Sequence, residues 1–251
     1  EYSQSLSLRS LQTPGAIPGY QIEQCLGEGS FGSVWLAREV RTGKKVAIKF
    51  YARGRGVDWS LLSREVEKLA VLYTSRNIVR LLDVAWDHDP PYFVMEFLDG
   101  RPLTALTGSA RPLADLGPIF LQVCDALATA HDKGIIHRDI KPSNIFLARG
   151  EDGGEVAKVI DFGLALKIDS NESRATRTGQ MMGTPNYMPI EQVEGNKDQM
   201  GPRSDIYSLG VILYELLTGK LPYKGNSAYS IIASILRDDP IPPSQHRKDL
   251  D

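Results

Sequence analysis

The amino-acid sequence points to an α+β chain in two lobes, a small antiparallel sheet lobe with one helix and a larger, mainly helical lobe. Two observations carry this expectation. Between Tyr20 and Leu98, short runs of β-branched and aromatic residues alternate with Gly, Asp and Pro, the punctuation of strands joined by turns. Beyond Gly100 the apolar residues recur three and four apart, the spacing of one helix face.

In chain order, residues 1–18 are rich in Ser, Gln, Gly and Pro and lack periodicity, so they read as a linker or a loosely docked arm. The sheet lobe, 19–98, holds the expected strands at 20–26, 33–39, 45–51, 79–86 and 92–97. Between the third and fourth, Leu61, Leu62, Glu65, Val66, Leu69 and Leu72 fall at helical spacing behind Asp58 or Ser60 as N-cap. The helical lobe, 99–251, begins at Asp99-Gly100. Its first helix sets Ile119, Phe120, Val123, Leu127 and Ala130 on one face and stops at Gly134. Another runs from a Ser204 cap through Ile206, Leu209, Ile212, Leu213, Leu216 and Leu217 to Gly219, apolar enough to be a buried central element.

With 251 residues, 42% hydrophobic and 24% charged, the chain has the composition of a globular protein able to bury a large core. A net charge of -2 and a pI near 6.2 argue against nucleic acid or an anionic membrane as partner, since both select a basic excess. The apolar runs 211–214 and 231–233 are broken by Glu215 and Ser234 well short of a bilayer's width, so a soluble, cytoplasmic segment without membrane contact is expected. Cys25 and Cys124 have no metal-ligand spacing and no secretory leader before them, and both read as small buried hydrophobes in a reducing compartment. The chain opens on Glu1 rather than Met and ends in a charged, proline-rich run, which reads as a fragment of a longer protein, any membrane anchor lying outside it.

The densest chemistry lies in His137-Arg138-Asp139-Ile140-Lys141-Pro142-Ser143-Asn144. This octapeptide gathers a base, a cation and a metal-ligand amide, which suits attack by a hydroxyl on a charged phosphate near a divalent cation. A polar loop with a helix cap would use the same residues, so the rest of the chain decides. Gly27-Glu28-Gly29-Ser30-Phe31-Gly32-Ser33-Val34 links the first two strands, and its glycines let the backbone approach a polyphosphate. A dinucleotide-binding fold would need strand, helix and strand here, whereas strand leads to strand. Lys49 sits in the apolar run Val46-Ala47-Ile48-Lys49-Phe50, where an unpaired ammonium is costly, and so requires a carboxylate and an anion. Glu65 is the expected partner because it lies beside the Leu62, Val66 and Leu69 face, from which Glu67 points away. Asp161-Phe162-Gly163 follows the strand-like stretch 156–160, and with Asn144 it offers oxygen ligands of the kind Mg²⁺ accepts alongside substrate phosphates.

These motifs, in this order, resemble those of protein kinases, specifically the bacterial eukaryotic-like (Hanks-type) serine/threonine kinases, from roughly Gly19 to the last residue. The resemblance implies a two-lobed protein-kinase-like fold and transfer of the ATP γ-phosphoryl group to Ser or Thr hydroxyls of proteins, with ATP and Mg²⁺ as cofactors. It implies that Gly27, Gly29 and Gly32 cover the ATP phosphates, and that Lys49, paired to Glu65, holds the α and β phosphates. Asp139 would orient the substrate hydroxyl and accept its proton, Lys141 would neutralise the transferring group, and Asn144 and Asp161 would hold Mg²⁺. Val34, Ala47 and Phe146 would sandwich the adenine, with Met95 as gatekeeper and the Glu96 carbonyl and Leu98 amide as hydrogen-bonding points. Plain core packing competes with this role at each apolar position. Lys141-Pro142-Ser143-Asn144 resembles the serine/threonine-specific loop and not the tyrosine-specific one. Thr184, in Gly183-Thr184-Pro185-Asn186-Tyr187-Met188, would contact Asp139 and Lys141, and this peptide platform disfavours a small-molecule kinase.

By the same resemblance the segment between Asp161 and Glu191, with Ser170, Ser173, Thr176 and Thr178, is a regulatory loop. Autophosphorylation is expected at Thr176 or Thr178 before Ser173, with Arg138 as the cation that binds the phosphate and dimerisation as the encounter of two copies. Pro189-Ile190-Glu191-Gln192 departs from the usual Ser-Pro-Glu-Gln of bacterial members, shifting the proline by one place and putting substrate docking in question. Glu191 pairs in the family with a buried arginine late in the domain. No such segment precedes Asp251, so the terminal helices are read as missing, and an uncompensated carboxylate with reduced stability is expected. Two classes of function follow: an active kinase, favoured because Lys49, Glu65, Asp139, Asn144 and Asp161 are all present, and a non-catalytic nucleotide-binding interaction module.

Overall fold

The computed structural model describes residues 15–29, 32–51, 66, 71–72, 74–150, 152–162 and 185–250. The chain divides into two compact units, Glu1–Trp59 with Arg80–Leu98, and Ser60–Val79 with Asp99–Asp251.

The first unit carries strands β1 (Tyr20–Gly29), β2 (Gly32–Glu39), β3 (Lys45–Tyr51), β4 (Leu81–Ala85) and β5 (Tyr92–Glu96) in one antiparallel sheet of order β1-β2-β3-β5-β4. Strand alternation decides which side chains meet. Register sets Ala37 opposite Val46, Trp35 opposite Ile48, and Ile48 opposite Val94, so these residues share one face and, with Phe50 and Tyr92, form its core. Ile17, which composition gives to the arm, belongs to this core at 5% exposure and pairs with Tyr20. A single apolar residue among Ala, Pro and Gly has no periodicity to announce it.

The second unit contains helices α1 (Leu113–His131), α2 (Ile190–Val193), α3 (Pro202–Thr218), α4 (Ala228–Arg237) and α5 (Pro243–His246). It also contains a small antiparallel sheet, β6 (Gly100–Pro102), β7 (Ile145–Arg149) and β8 (Glu155–Val159), in that order. β6 is short and carries turn residues, which is why periodicity misses it. The core joins Leu116, Ile119, Val123, Ala126, Leu127 and Ala130 of α1 to Leu209, Ile212 and Leu216 of α3, and to Ile145, Leu147, Ala157 and Val159 of the sheet. By length and composition alone α1 could cross a membrane, but those six side chains are committed to this core.

Several local expectations are corrected. Helix α3 starts at Pro202, whose fixed φ and missing N–H suit a first helical position. Ser204 therefore lies inside the first turn and its Oγ accepts the Gly201 N–H at 3.1 Å, while Ile206 faces outward at 52% exposure. Gly219 ends the helix with φ 70, as expected of a left-handed cap. Cys124 is exposed because it follows buried Val123 around the helix, and Cys25 is only half-buried. Glu191 is half-buried and accepts the Ser204 hydroxyl at 2.5 Å, so it is not an uncompensated buried carboxylate. Pro189 is buried with φ -71 as the residue before α2, and Ile190 is turned out at 44% exposure. Of the helix expected at 58–73, Val66 is helical and buried, whereas Glu65 and Glu67 lie outside the described residues.

Candidate active site

The loop 137–144 is built from the main chain outward. Asp205, in the first turn of α3 and 1% exposed, accepts the His137 N–H at 2.9 Å on Oδ2 and the Arg138 N–H at 2.8 Å on Oδ1. His131, from the last turn of α1, donates its Nε2–H to the same Oδ2 at 2.8 Å. One buried carboxylate thus fixes two consecutive amides, and Arg138 adopts φ 65, a left-handed conformation that a bulky side chain takes only under constraint. Nothing local to Asp205 signals this role. An Asp after Ser in a first helical turn reads as a cap or dipole partner.

His137 is fully buried, and its partners define its tautomer. The Asp139 N–H donates to Nδ1 at 3.2 Å, so Nε2 carries the proton and donates to the Ile160 carbonyl at 2.9 Å. Its ring packs on Phe162 at 4.7 Å between centroids. Pro142 then opens a single 3₁₀ turn that brings Asn144 back toward Asp139. Asn144 Nδ2 donates to the Asp139 carbonyl at 2.8 Å and to its Oδ2 at 3.1 Å, and Lys141 Nζ donates to that Oδ2 at 2.7 Å. Asn144 is 5% exposed, whereas Asp139 and Lys141 keep 24% and 37% of their side chains open, so the charges remain reachable. The Ile160 N–H donates to the Asn144 carbonyl at 2.9 Å, tying the loop to the chain that leads into Asp161, itself at φ 58. Phe146 follows in β7, half-buried and opposite Lys158 and Pro102.

In the first unit, register collects Val34, Lys49, Ala47 and Met95 on one sheet face, opposite the face that holds the core. Val34, Lys49 and Phe93 stand in one row, and Leu36, Ala47 and Met95 in the next. Lys49 Nζ lies 5.8 Å from the Tyr51 ring centre and 6.0 Å from that of Phe93, each a cation over an aromatic face. Gly27, Gly29 and Gly32 lie in the β1–β2 hairpin, where Gly29 pairs with Gly32 and Gly27 with Val34. Gly32, at φ 140, is far more crowded than Gly27: a Cβ there would lie 1.8 Å from the Phe50 carbonyl oxygen, whereas one on Gly27 would meet nothing within 4 Å. Glu96 and Leu98 end the unit, both half-buried. Glu65, Gly163, Ser170, Ser173, Thr176, Thr178 and Thr184 lie outside the described residues.

In the second unit, the turn Pro185–Tyr187 is pinned to α3 at two points. Ser208 Oγ donates to the Tyr187 carbonyl at 2.7 Å, and the Tyr187 hydroxyl donates to Glu215 Oε2 at 2.7 Å. Burial raises the Glu215 carboxyl above its ordinary value of 4.5, an effect the Tyr187 bond offsets in part, and burial also raises the Tyr187 phenol. A carboxyl raised on folding takes up a proton, so its contribution to stability is present below 4.5 and is lost as pH rises through the folded value. Glu215→Gln, which keeps an acceptor without the charge, should therefore gain stability relative to wild type as pH rises from 4 through 4.5 and above. Thermal midpoints of the two proteins across that range check it. A constant difference would contradict the assignment.

Comparison with known proteins places these observations. The protein kinase domain family matches residues 20–248. The chain is 40% identical over 228 residues to serine/threonine-protein kinase Pkn1 of Myxococcus xanthus, covering 90% of this chain and 32% of that one. It is 36% identical over 240 residues to serine/threonine-protein kinase PknB of Mycobacterium tuberculosis, covering 92% and 37%, and 36% identical over 237 residues to pkn3 of Myxococcus xanthus, covering 92% and 43%. It thus spans 32–43% of the length of these relatives. With an α+β architecture, a loop that turns aspartate, lysine and asparagine onto one point, and a family match over nearly its whole length, the chain belongs to the protein kinase domain family.

Proposed function

We propose that this domain is an ATP-dependent serine/threonine kinase that transfers the γ-phosphoryl group to Ser or Thr hydroxyls of protein substrates. The observation that carries the reading is the convergence of Lys141 and Asn144 on Asp139 Oδ2, on a loop whose amides are held by Asp205. With Oδ2 engaged, Oδ1 is the atom left to accept the substrate hydroxyl's proton. The hydroxyl oxygen bonds to the γ-phosphorus as the bond to the β–γ bridging oxygen breaks, and ADP leaves with that electron pair. Lys141, beside the base, supplies positive charge where the transferring group is most anionic.

Asn144 and Asp161 are the residues proposed to hold Mg²⁺. Asn144 commits Nδ2 to Asp139, which leaves its amide oxygen as the ligand atom, and with the Asp161 carboxylate this is a hard-oxygen donor set. The cation, when bound, would neutralise phosphate charge. Gly27, Gly29 and Gly32 are proposed to cover the phosphates, and Lys49 with Glu65 to hold them. Val34, Ala47, Met95 and Phe146 are proposed to enclose the adenine, with the Glu96 carbonyl and Leu98 amide at its polar edge. Arg138, whose Nε is buried without a hydrogen-bond partner among the described residues, supports phosphate-dependent ordering of the regulatory loop, for which Thr176 or Thr178 is the proposed acceptor. Thr184 is proposed, by the family resemblance alone, to contact Asp139 and Lys141.

Transfer of labelled phosphate from ATP with Mg²⁺ to the chain itself or to a generic basic protein tests the reading. Asp139→Asn should lower the rate by roughly 10²- to 10⁴-fold, the worth of a positioned general base, while ATP still binds. ATP binding by wild type with no transfer to any protein acceptor would refute it.

A further inference from the structure

Antiparallel strands exchange two main-chain hydrogen bonds at each hydrogen-bonded pair, one in each direction. Where β5 ends, Arg80 and Glu96 keep one of these, the Glu96 N–H donating to the Arg80 carbonyl at 3.0 Å. The return bond is replaced: the Arg80 N–H donates to Glu96 Oε1, in the side chain, at 2.9 Å. Next along the ladder Leu81 pairs with Met95, and the register then shifts before Asp83. On its other edge Glu96 pairs with Val46 of β3. The carboxylate therefore closes the last rung of the β4–β5 edge, at the point where the main chain leaves the sheet.

We propose that the Glu96 side chain is a positioning residue for base selection. By holding the Arg80 N–H, the carboxylate keeps that donor off the Glu96 main-chain carbonyl and fixes the end of β5, so that the carbonyl is presented to the exocyclic amine of adenine. This rests on the reading above in which that carbonyl is one of the polar contacts to the base. A charged residue at a strand end otherwise reads from sequence as a solvated side chain. Here its reach matters as well as its polarity: a glutamate or glutamine spans to the Arg80 amide, whereas an aspartate falls one methylene short.

The test is equilibrium binding of the full chain to ATP and to purine riboside triphosphate, which lacks the 6-amino group. Wild type should prefer ATP by about tenfold, the worth of one well-formed hydrogen bond. Glu96→Gln should retain that preference, while Glu96→Ala and Glu96→Asp should reduce it to about twofold, because the Arg80 N–H then competes for the carbonyl. Should either shortened variant fold and keep the full preference, the inference is overturned and the adenine contact stands. It is overturned in the same way if affinity for both nucleotides drops equally and the ratio is unchanged. A wild-type chain that binds the two nucleotides equally overturns the adenine contact and the inference together.

Discussion

Asp205→Ala is expected to abolish phosphoryl transfer and to lower the thermal midpoint sharply, although Asp205 lies far along the chain from the loop it serves. The carboxylate accepts the His137 N–H, the Arg138 N–H and the His131 ring N–H, and is 1% exposed. Alanine offers none of these an acceptor, and burial denies them water. At about 1–3 kcal/mol for each buried donor left unsatisfied, the loss is on the order of several kcal/mol against a total stability of about 5–15 kcal/mol. Arg138 would also be released from its left-handed φ, and with it the placement of Asp139. Asp205→Asn should fall between, since one oxygen still accepts while the amide turns a donor toward another donor. Midpoints and phosphate transfer measured on both variants decide the matter. Near wild-type transfer by Asp205→Ala would show that the loop holds its shape without this anchor.

A comparably large effect is expected of Gly32→Ala, with Gly27→Ala as its internal control. A Cβ on Gly32 would meet the Phe50 carbonyl oxygen at 1.8 Å, its carbon at 2.9 Å and Tyr51 Cα at 3.2 Å, all of them backbone atoms that cannot swing aside. The φ of 140 is also closed to L side chains, which adds about 1–3 kcal/mol of strain if the conformation is kept. The hairpin must therefore separate from β3 or change its turn, and both disturb the face that carries Val34 and Lys49. At Gly27 an added Cβ meets nothing within 4 Å, so Gly27→Ala should leave the thermal midpoint unchanged and express any effect in ATP affinity alone. Unfolding and ATP-binding curves for the two variants separate the cases. Equal midpoints would mean that the β1–β2 hairpin yields more readily than its contacts indicate.

Local chemistry makes much of the fold legible. The strands of the first unit stand out because each combines β-branched or aromatic residues with a turn at its end, and Gly219 marks the end of α3 because a left-handed cap favours glycine. Where an element is short or a boundary depends on one residue, local patterns mislead. β6 has three residues, and Ser204 resembles an N-cap until Pro202 is recognised as the first helical position. Cys124 reads as buried and lies outside because helical phase, and not residue type, decides burial.

Residue type and short spacing single out the candidates: the glycine-rich hairpin, Lys49, Asp139, Lys141, Asn144 and Asp161 each stand out from neighbours a few positions away, while the roles proposed for them come from the order of the motifs and its resemblance to protein kinases. What holds them in place is set only by the folded chain. Asp205 reaches the loop across 67 and 68 residues of chain, and the row of Val34, Lys49 and Phe93 forms only when three strands pair in register. One cause underlies both cases. A buried hydrogen bond or a cross-strand row is a relation between distant residues, and its stability comes from exclusion of water, which no short stretch of sequence can supply.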